Sequence, residues 1–181
     1  MKHTFSSDNL LFYSLNQSHL ELYKSIYTDS NIMKYIAPTL SVAQAEKSFP
    51  LQLKEWQLNS SNYCLLVVHH KIYDKDIGLC GFKTFDKATM QANMGVMLLE
   101  EYQSLGLGTE ILKSMTKYCF NEIGFNKLNG PPIIDNKSCI KILEKSEYQQ
   151  EALLRANWKI NEVYYDTPLY TLLKEECSYL D

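Results

Sequence analysis

Tyr102-Gln103-Ser104-Leu105-Gly106-Leu107-Gly108-Thr109 is the stretch across which the hydrophobic period of the chain changes. Before it, Met94-Gly95-Val96-Met97-Leu98-Leu99 is a nearly unbroken apolar run of strand length, the pattern of a strand covered on both faces. After it, Ile111, Leu112, Met115, Cys119, Phe120 and Ile123 recur at steps of three and four, with Glu110, Lys113, Lys117 and Asn121 on the opposite side. That spacing predicts an amphipathic helix.

A strand that enters a helix through a turn with two glycines leaves backbone N–H groups unpaired at the helix N-terminus, with the positive end of the helix dipole behind them. Such a place binds phosphate. Gly106 and Gly108 suit it because side chains there would hold a pyrophosphate off the backbone, and because glycine accepts positive φ at little cost. Neither common nucleotide motif fits. A P-loop needs Gly-Lys-Ser/Thr where Gly108-Thr109-Glu110 stands, and a dinucleotide turn needs a third glycine where the chain has Ile111.

Gln103-x-x-Gly106-x-Gly108 resembles the Q/R-x-x-G-x-G/A signature of the GNAT acetyltransferases. A second segment, Asp135-Asn136-Lys137-Ser138-Cys139-Ile140-Lys141-Ile142-Leu143-Glu144-Lys145, resembles the "N-x-A-S-x-R-v-L-E-K" helix of the RimJ/RimL-type subgroup, and the opening third of the chain is loosely similar to that subgroup. The resemblance implies an α/β (α+β) GNAT fold, with a mixed, mostly antiparallel sheet of about seven strands, helices on both faces and a splayed strand pair that holds acetyl-CoA. It further implies that Gln103, Ser104, Leu105, Gly106, Leu107, Gly108 and Thr109 surround the pyrophosphate. The backbone of Met97, Leu98 and Leu99 would pair with the pantetheine arm, Asn136 would bond near the thioester, and Lys141 with Lys137 would face the 3′-phosphate. Arg155 and Tyr165-Asp166 match landmarks that read as architectural.

Around these motifs the rest of the chain reads as one domain over 1–181, large enough for a sizeable core at 45% hydrophobic and 22% charged residues. A net charge of −3 without a basic cluster lacks the footprint of a nucleic-acid binder, and a mildly acidic surface suits an amine substrate. Five scattered cysteines without a C-x-x-C pair read as reduced thiols, and the four histidines lack metal-ligand spacing. The start has no apolar leader and no run is long enough to cross a membrane, so a cytoplasmic protein without metal is expected.

In order, 9–15 reads as the first strand, followed by a helix through Leu20–Tyr27 and a short one after Asp29. Ser41-Val42-Ala43-Gln44 is a capping box opening a helix to about Leu58, kinked or divided at Pro50. By resemblance Tyr35 and Trp56 are candidate acceptor contacts, with core packing as the more usual role for either side chain. Strands follow over 63–69, 77–85 and 91–99, then 127–134 with Pro131-Pro132 inside it, and a closing hairpin of 148–155 and 163–173.

Acetyl transfer to an amine requires a neutral nitrogen. Where the subgroup often has a glutamate on the central strand, this chain has Asn93, and an amide cannot serve as base. Three readings remain: a water relay to Glu100, Glu101 or another acid, an α-amine acceptor that needs little help, or lost catalysis. Cys139 and Asn93 are thus the candidate catalytic positions, with Cys139 as a proton donor to the departing thiol or merely a buried thiol. The expected partners are acetyl-CoA and an amine acceptor, either a protein N-terminus or a small amine such as a polyamine or antibiotic, with a homodimer as the assembly to test. An acyl-CoA-binding module without turnover and a nucleotide-binding regulator are the other readings.

Overall fold

The computed structural model describes residues 3–180. One sheet runs through the molecule: β1 (Thr4–Ser6), β2 (Leu10–Ser14), β3 (Cys64–His70), β4 (Lys75–Asp86), β5 (Gln91–Leu98), β6 (Lys127–Gly130), β7 (Gln149–Ile160) and β8 (Val163–Leu173), in the spatial order β1-β2-β3-β4-β5-β6-β8-β7. Every neighbouring pair is antiparallel except β5 and β6, which are joined by the helical crossover after the glycine turn. The helices are α1 (Leu20–Tyr27), α2 (Ser30–Met33), α3 (Val42–Gln52), α4 (Leu107–Tyr118) and α5 (Lys137–Lys145).

Alternation along the central strands sorts side chains into two cores. Met94, Leu98, Cys80 and Phe82 pack with Ile111, Leu112, Met115 and Cys119 of α4. On the other face, Leu65, Val67 and Leu79 meet Tyr23 and Ile26 of α1 and Ala45 and Phe49 of α3. The faces of β5 therefore have distinct duties. Residues 92, 94 and 98 hold α4, and residues 93, 95 and 97 look toward the α1–α3 side.

Local chemistry sets most helix starts. Asp29 caps α2 through Asn31 and Ile32 N–H, and Ser41 and Gln44 close the expected capping box of α3. Three expectations are corrected. First, α3 ends at Gln52, two residues past Pro50, and Trp56 lies beyond it in the α4-side core against Phe82, not in an acceptor channel. Second, β6 stops at Gly130, so Pro131-Pro132 follow the strand instead of interrupting it, which suits residues that cannot donate to a ladder. Third, the sheet has eight strands, because Thr4–Ser6 pairs with β2 over three residues, too few to show a period. After Tyr118 the helix widens into a π-turn, Cys119–Ile123, closed by Gly124 at φ +86°.

Candidate acetyl-transfer site

β5 and β6 pair over three positions only, Gln91↔Lys127, Ala92↔Leu128 and Asn93↔Asn129. Beyond Asn93, β5 continues to Leu98 along β4, while the chain after Gly130 leaves β6 and joins β8 through Ile134 N–H to Asp166 O. A gap thus opens along β5 from residue 94 onward. Leu99 N–H donates to Ile77 O of β4 at 3.0 Å, so by alternation the N–H and C=O of Val96 and Leu98 face the gap. Gln103 Nε2 donates to Leu98 O at 2.9 Å, bracing the turn against the strand end. The Gln103 side chain is therefore held on the strand in this structure.

The turn itself is shaped by two left-handed residues, Ser104 at φ +62° and Gly106 at φ +82°. Gly106 is the N-cap of α4 and offers no side-chain cap. Thr109 and Glu110 N–H fall back on Gly106 O at 3.2 and 3.5 Å, and no backbone acceptor among the described residues takes the N–H groups of residues 104–108. A row of undirected donors at a helix N-terminus and an unpaired strand edge beside it fit a pyrophosphate followed by an extended chain of amides.

Gly108 works differently from the expectation. A Cβ there would come within 2.6 Å of Ile142 Cδ1, so this glycine admits α5 against α4, and only Gly106 is required by the turn. That contact sets α5 beside the turn, with Lys141 and Lys137 exposed on it. Asn136 caps α5 by accepting Cys139 N–H at 3.1 Å, which leaves its amide N–H groups free of any protein acceptor among the described residues.

Cys139 is mostly buried, and burial pushes its thiol up to about 11. A free thiol titrates near 8.5. Passing a proton from Cys139 to a departing thiolate would therefore run uphill. Asn93 Oδ1 accepts from Asn129 Nδ2 at 3.3 Å across the last rung before the gap. Glu100 and Glu101 sit exposed in a short 3-10 turn behind the loop. Asp166 accepts Ala156 N–H at 2.8 Å in the β7 bulge, an architectural task. Sequence reasoning missed Tyr63, Lys83 and Asn129 around the start of the gap. No motif marks them, and the signal that places them is strand register.

All five cysteines are free, no group of three or more His, Cys, Asp or Glu side chains among the described residues is placed to hold a metal ion, and no described helix is long and apolar enough to cross a membrane.

Splayed strands, a glycine turn feeding a helix, and a capped helix alongside define an acetyltransferase of the GNAT type. The sequence model of the acetyltransferase (GNAT) domain matches residues 9–149, and the chain belongs to that family. It is an N-acetyltransferase that draws on acetyl-CoA. Among relatives, it is 25% identical over 176 residues to an uncharacterised N-acetyltransferase of Bacillus licheniformis, covering 96% of this chain and 97% of that one. It is 23% identical over 106 residues to a putative ribosomal N-acetyltransferase of Bacillus subtilis, 58% of each chain. Among solved structures, a GNAT acetyltransferase from Bacillus anthracis superposes with a TM-score of 0.83 at 16% identity, covering 96% of this chain and 100% of that one. The spermidine N-acetyltransferase of Vibrio cholerae, solved with CoA and spermine, superposes with a TM-score of 0.80 at 18% identity, covering 94% and 98%.

Proposed function

We propose that the chain is a RimJ/RimL-like enzyme that moves the acetyl group of acetyl-CoA directly to a primary amine whose nitrogen is already partly neutral at pH 7. An N-terminal α-amine or a small primary amine of similar basicity meets that condition. The observation that carries this reading is Asn93 at the last rung before the gap, bonded to Asn129 where a carboxylate base would otherwise stand. An amine with a pKa near 8 is roughly 200 times richer in its neutral form at pH 7 than one near 10.4, so its nitrogen can attack without a dedicated base.

Acetyl-CoA supplies the activated thioester, and the chain's own groups hold and orient it. The N–H groups of residues 104–108 and the dipole of α4 take the pyrophosphate, the gap-facing backbone of Val96 takes the pantetheine amides, and the free Asn136 amide reaches toward the thioester. Lys141 lies where the 3′-phosphate would pass. Leu98 N–H is the donor we assign to the oxyanion. Cys139, in the first turn of α5, packs against the α4-side core and is assigned no proton transfer. The likeness to a putative ribosomal N-acetyltransferase supports a protein N-terminus, and the likeness to a spermidine N-acetyltransferase supports a small amine.

A thermal melt with saturating acetyl-CoA, and with ATP as control, tests the site. At about 100 times Kd a ligand adds roughly 2.7 kcal/mol, which for a chain of this size is a rise of about 5–11 °C. A rise with acetyl-CoA and none with ATP is expected. Equal rises with both would favour a nucleotide-binding regulator, and no rise with acetyl-CoA would overturn the assignment of the turn.

A further inference from the structure

The rung that crosses the start of the gap runs Lys83, Asn93, Asn129, Thr171. Side chains in register project from one face of a sheet, with neighbouring Cβ atoms about 4.5–5.5 Å apart. This is the face turned away from α4, on which the acceptor must approach because α4 and its core fill the other. Lys83 has no hydrogen bond or ion pair with any described residue. The Asn93 carbonyl is used by Asn129, so the Asn93 amide N–H groups are undirected. Two residues along β5, a Cβ at Gly95 would stand 3.9 Å from the Tyr63 ring and near nothing else but Gly81 O at 4.0 Å. The missing side chain leaves a hollow that the Tyr63 ring overhangs. The Tyr63 hydroxyl, close enough to that of Tyr27 for the two to interact, has no hydrogen-bond partner among the described residues.

Carboxylates near this rung are already committed. Glu151 binds Lys127 Nζ at 2.9 and 2.7 Å and accepts from Thr171. Asp86, in register with Gln91, accepts Ala88 N–H at 2.7 Å and Thr89 N–H at 3.3 Å. What remains is an ammonium, an amide and a phenol, all donors, around a hollow at the mouth of the gap. A polycation meets no free counter-charge here, whereas a carboxylate meets three donors.

Resting on the acetyl-transfer reading, we propose that Lys83 determines acceptor specificity and that the acceptor is a small primary amine carrying a carboxylate, an amino acid, whose carboxylate is held by Lys83 with the Asn93 amide and the Tyr63 hydroxyl. The amine nitrogen then forms its bond to the thioester carbonyl carbon, the C–S bond breaks, the sulfur leaves as a thiolate and takes up a proton, and the nitrogen loses one to water. Lys83 has a second effect on that step. A fixed positive charge beside the amine disfavours its ammonium form, raising the neutral fraction without a base. The acidic net charge of −3 would suggest a cationic acceptor, and the local donors reverse that inference.

The experiment measures CoA release from acetyl-CoA with three matched acceptors, namely amino acids, the corresponding amino-acid amides, and spermidine, while melts with acetyl-CoA monitor cofactor binding. Because the amine of a free amino acid is more basic than that of its amide, rates are referred to the neutral amine; on that scale the wild-type protein should prefer the amino acid over its amide and over spermidine by about tenfold or more in kcat/KM, the size of one charge-assisted hydrogen bond. Lys83→Met should raise the KM for the amino acid by a similar factor, erase the preference over the amide and move the rising limb of the pH–rate profile to higher pH, with the acetyl-CoA melt unchanged. Lys83→Arg should retain most of the preference. A wild-type preference for the amide or for spermidine, an unaltered preference in Lys83→Met, or release with none of the three despite a melt shift would overturn the proposal alone. No release together with no melt shift would overturn the acetyl-transfer reading and this proposal with it.

Discussion

Gly106 and Gly108 stand two residues apart in one motif and are glycine for unrelated reasons. Gly106 needs its positive φ, and a Cβ there would touch nothing within 4 Å. Gly106→Ala should therefore cost about 1–2 kcal/mol from backbone strain alone, read as a lower urea midpoint with an unchanged slope. Gly108 needs space. Gly108→Ala asks only the flexible end of Ile142 to turn aside, but Gly108→Trp must push α5 off α4, and overpacking of this kind costs about 1–3 kcal/mol or more. Loss of acetyl-CoA binding in Gly108→Trp would thus come with a lower melting point, contrary to what the motif alone suggests. The motif was legible because it is local. The partner of Gly108 is 34 residues away at Ile142, and no periodicity encodes that contact. Glu147 gives the same lesson in reverse. Its φ of +68° lies where glycine is the easy choice, yet it is a glutamate that ties its carboxylate to Ser178 N–H and Oγ. At Cys139, a thiol held near 11 should react slowly with alkylating reagents at pH 7.5, and Cys139→Ala should leave the acetyl-transfer rate within about twofold.

Among elements, helices capped by their own sequence were read well and elements ended by tertiary structure were not. The Ser41 box and the Asp29 cap are visible as residue types at fixed spacing. The end of α3 is not, because Trp56 leaves the helix to join Phe82 and Phe125 on the far side of the sheet. β6 was read too long for a comparable reason. Its apolar run continues past Gly130, but Ile134 N–H is drawn to Asp166 O. α5 offers a test in which cap and ligand roles separate. Asn136→Ala removes the acceptor for Cys139 N–H and should cost about 1 kcal/mol. If the free amide also reaches the cofactor, the acetyl-CoA-induced melt shift should shrink in addition. A stability loss with an intact shift would leave only the cap.

For the whole molecule, acid sensitivity follows from groups that are held away from their free values. Burial is the main influence holding His3 and His19 below the usual imidazole range, so both are neutral when folded. The unfolded chain then binds more protons as pH drops below about 6.5, and folded stability falls in that window. Glu110 is lowered by Ser7 and Asn9, against burial that works to raise it, and Glu151 is lowered by Lys127. These add stability above the unfolded carboxylate range that is lost as pH falls through their folded values. The melting point should therefore decline from pH 7 to 5 and steepen below about 4.3. His3→Phe should flatten the first part of the decline while lowering the melting point at pH 7, since a ring there keeps the contacts with Trp56 and Phe82 but loses the 2.6 Å bond between His3 Nδ1 and the Tyr118 hydroxyl.

The three-rung junction between β5 and β6 also bears on how the protein moves. Strands β1 to β5 form one stiff plate and β8 with β7 another, and β6, four residues long, is the hinge pin between them. Small rocking of the plates would widen or narrow the gap while disturbing only those few rungs. Amide protons at Ala92 and Asn129, which face each other's strand across the junction, should then exchange with solvent faster than those at the centre of β3 or β4, and a ligand bridging the two plates should slow them. The enzyme would be most pliant along the line its cofactor crosses, and each catalytic cycle would tighten and release that line.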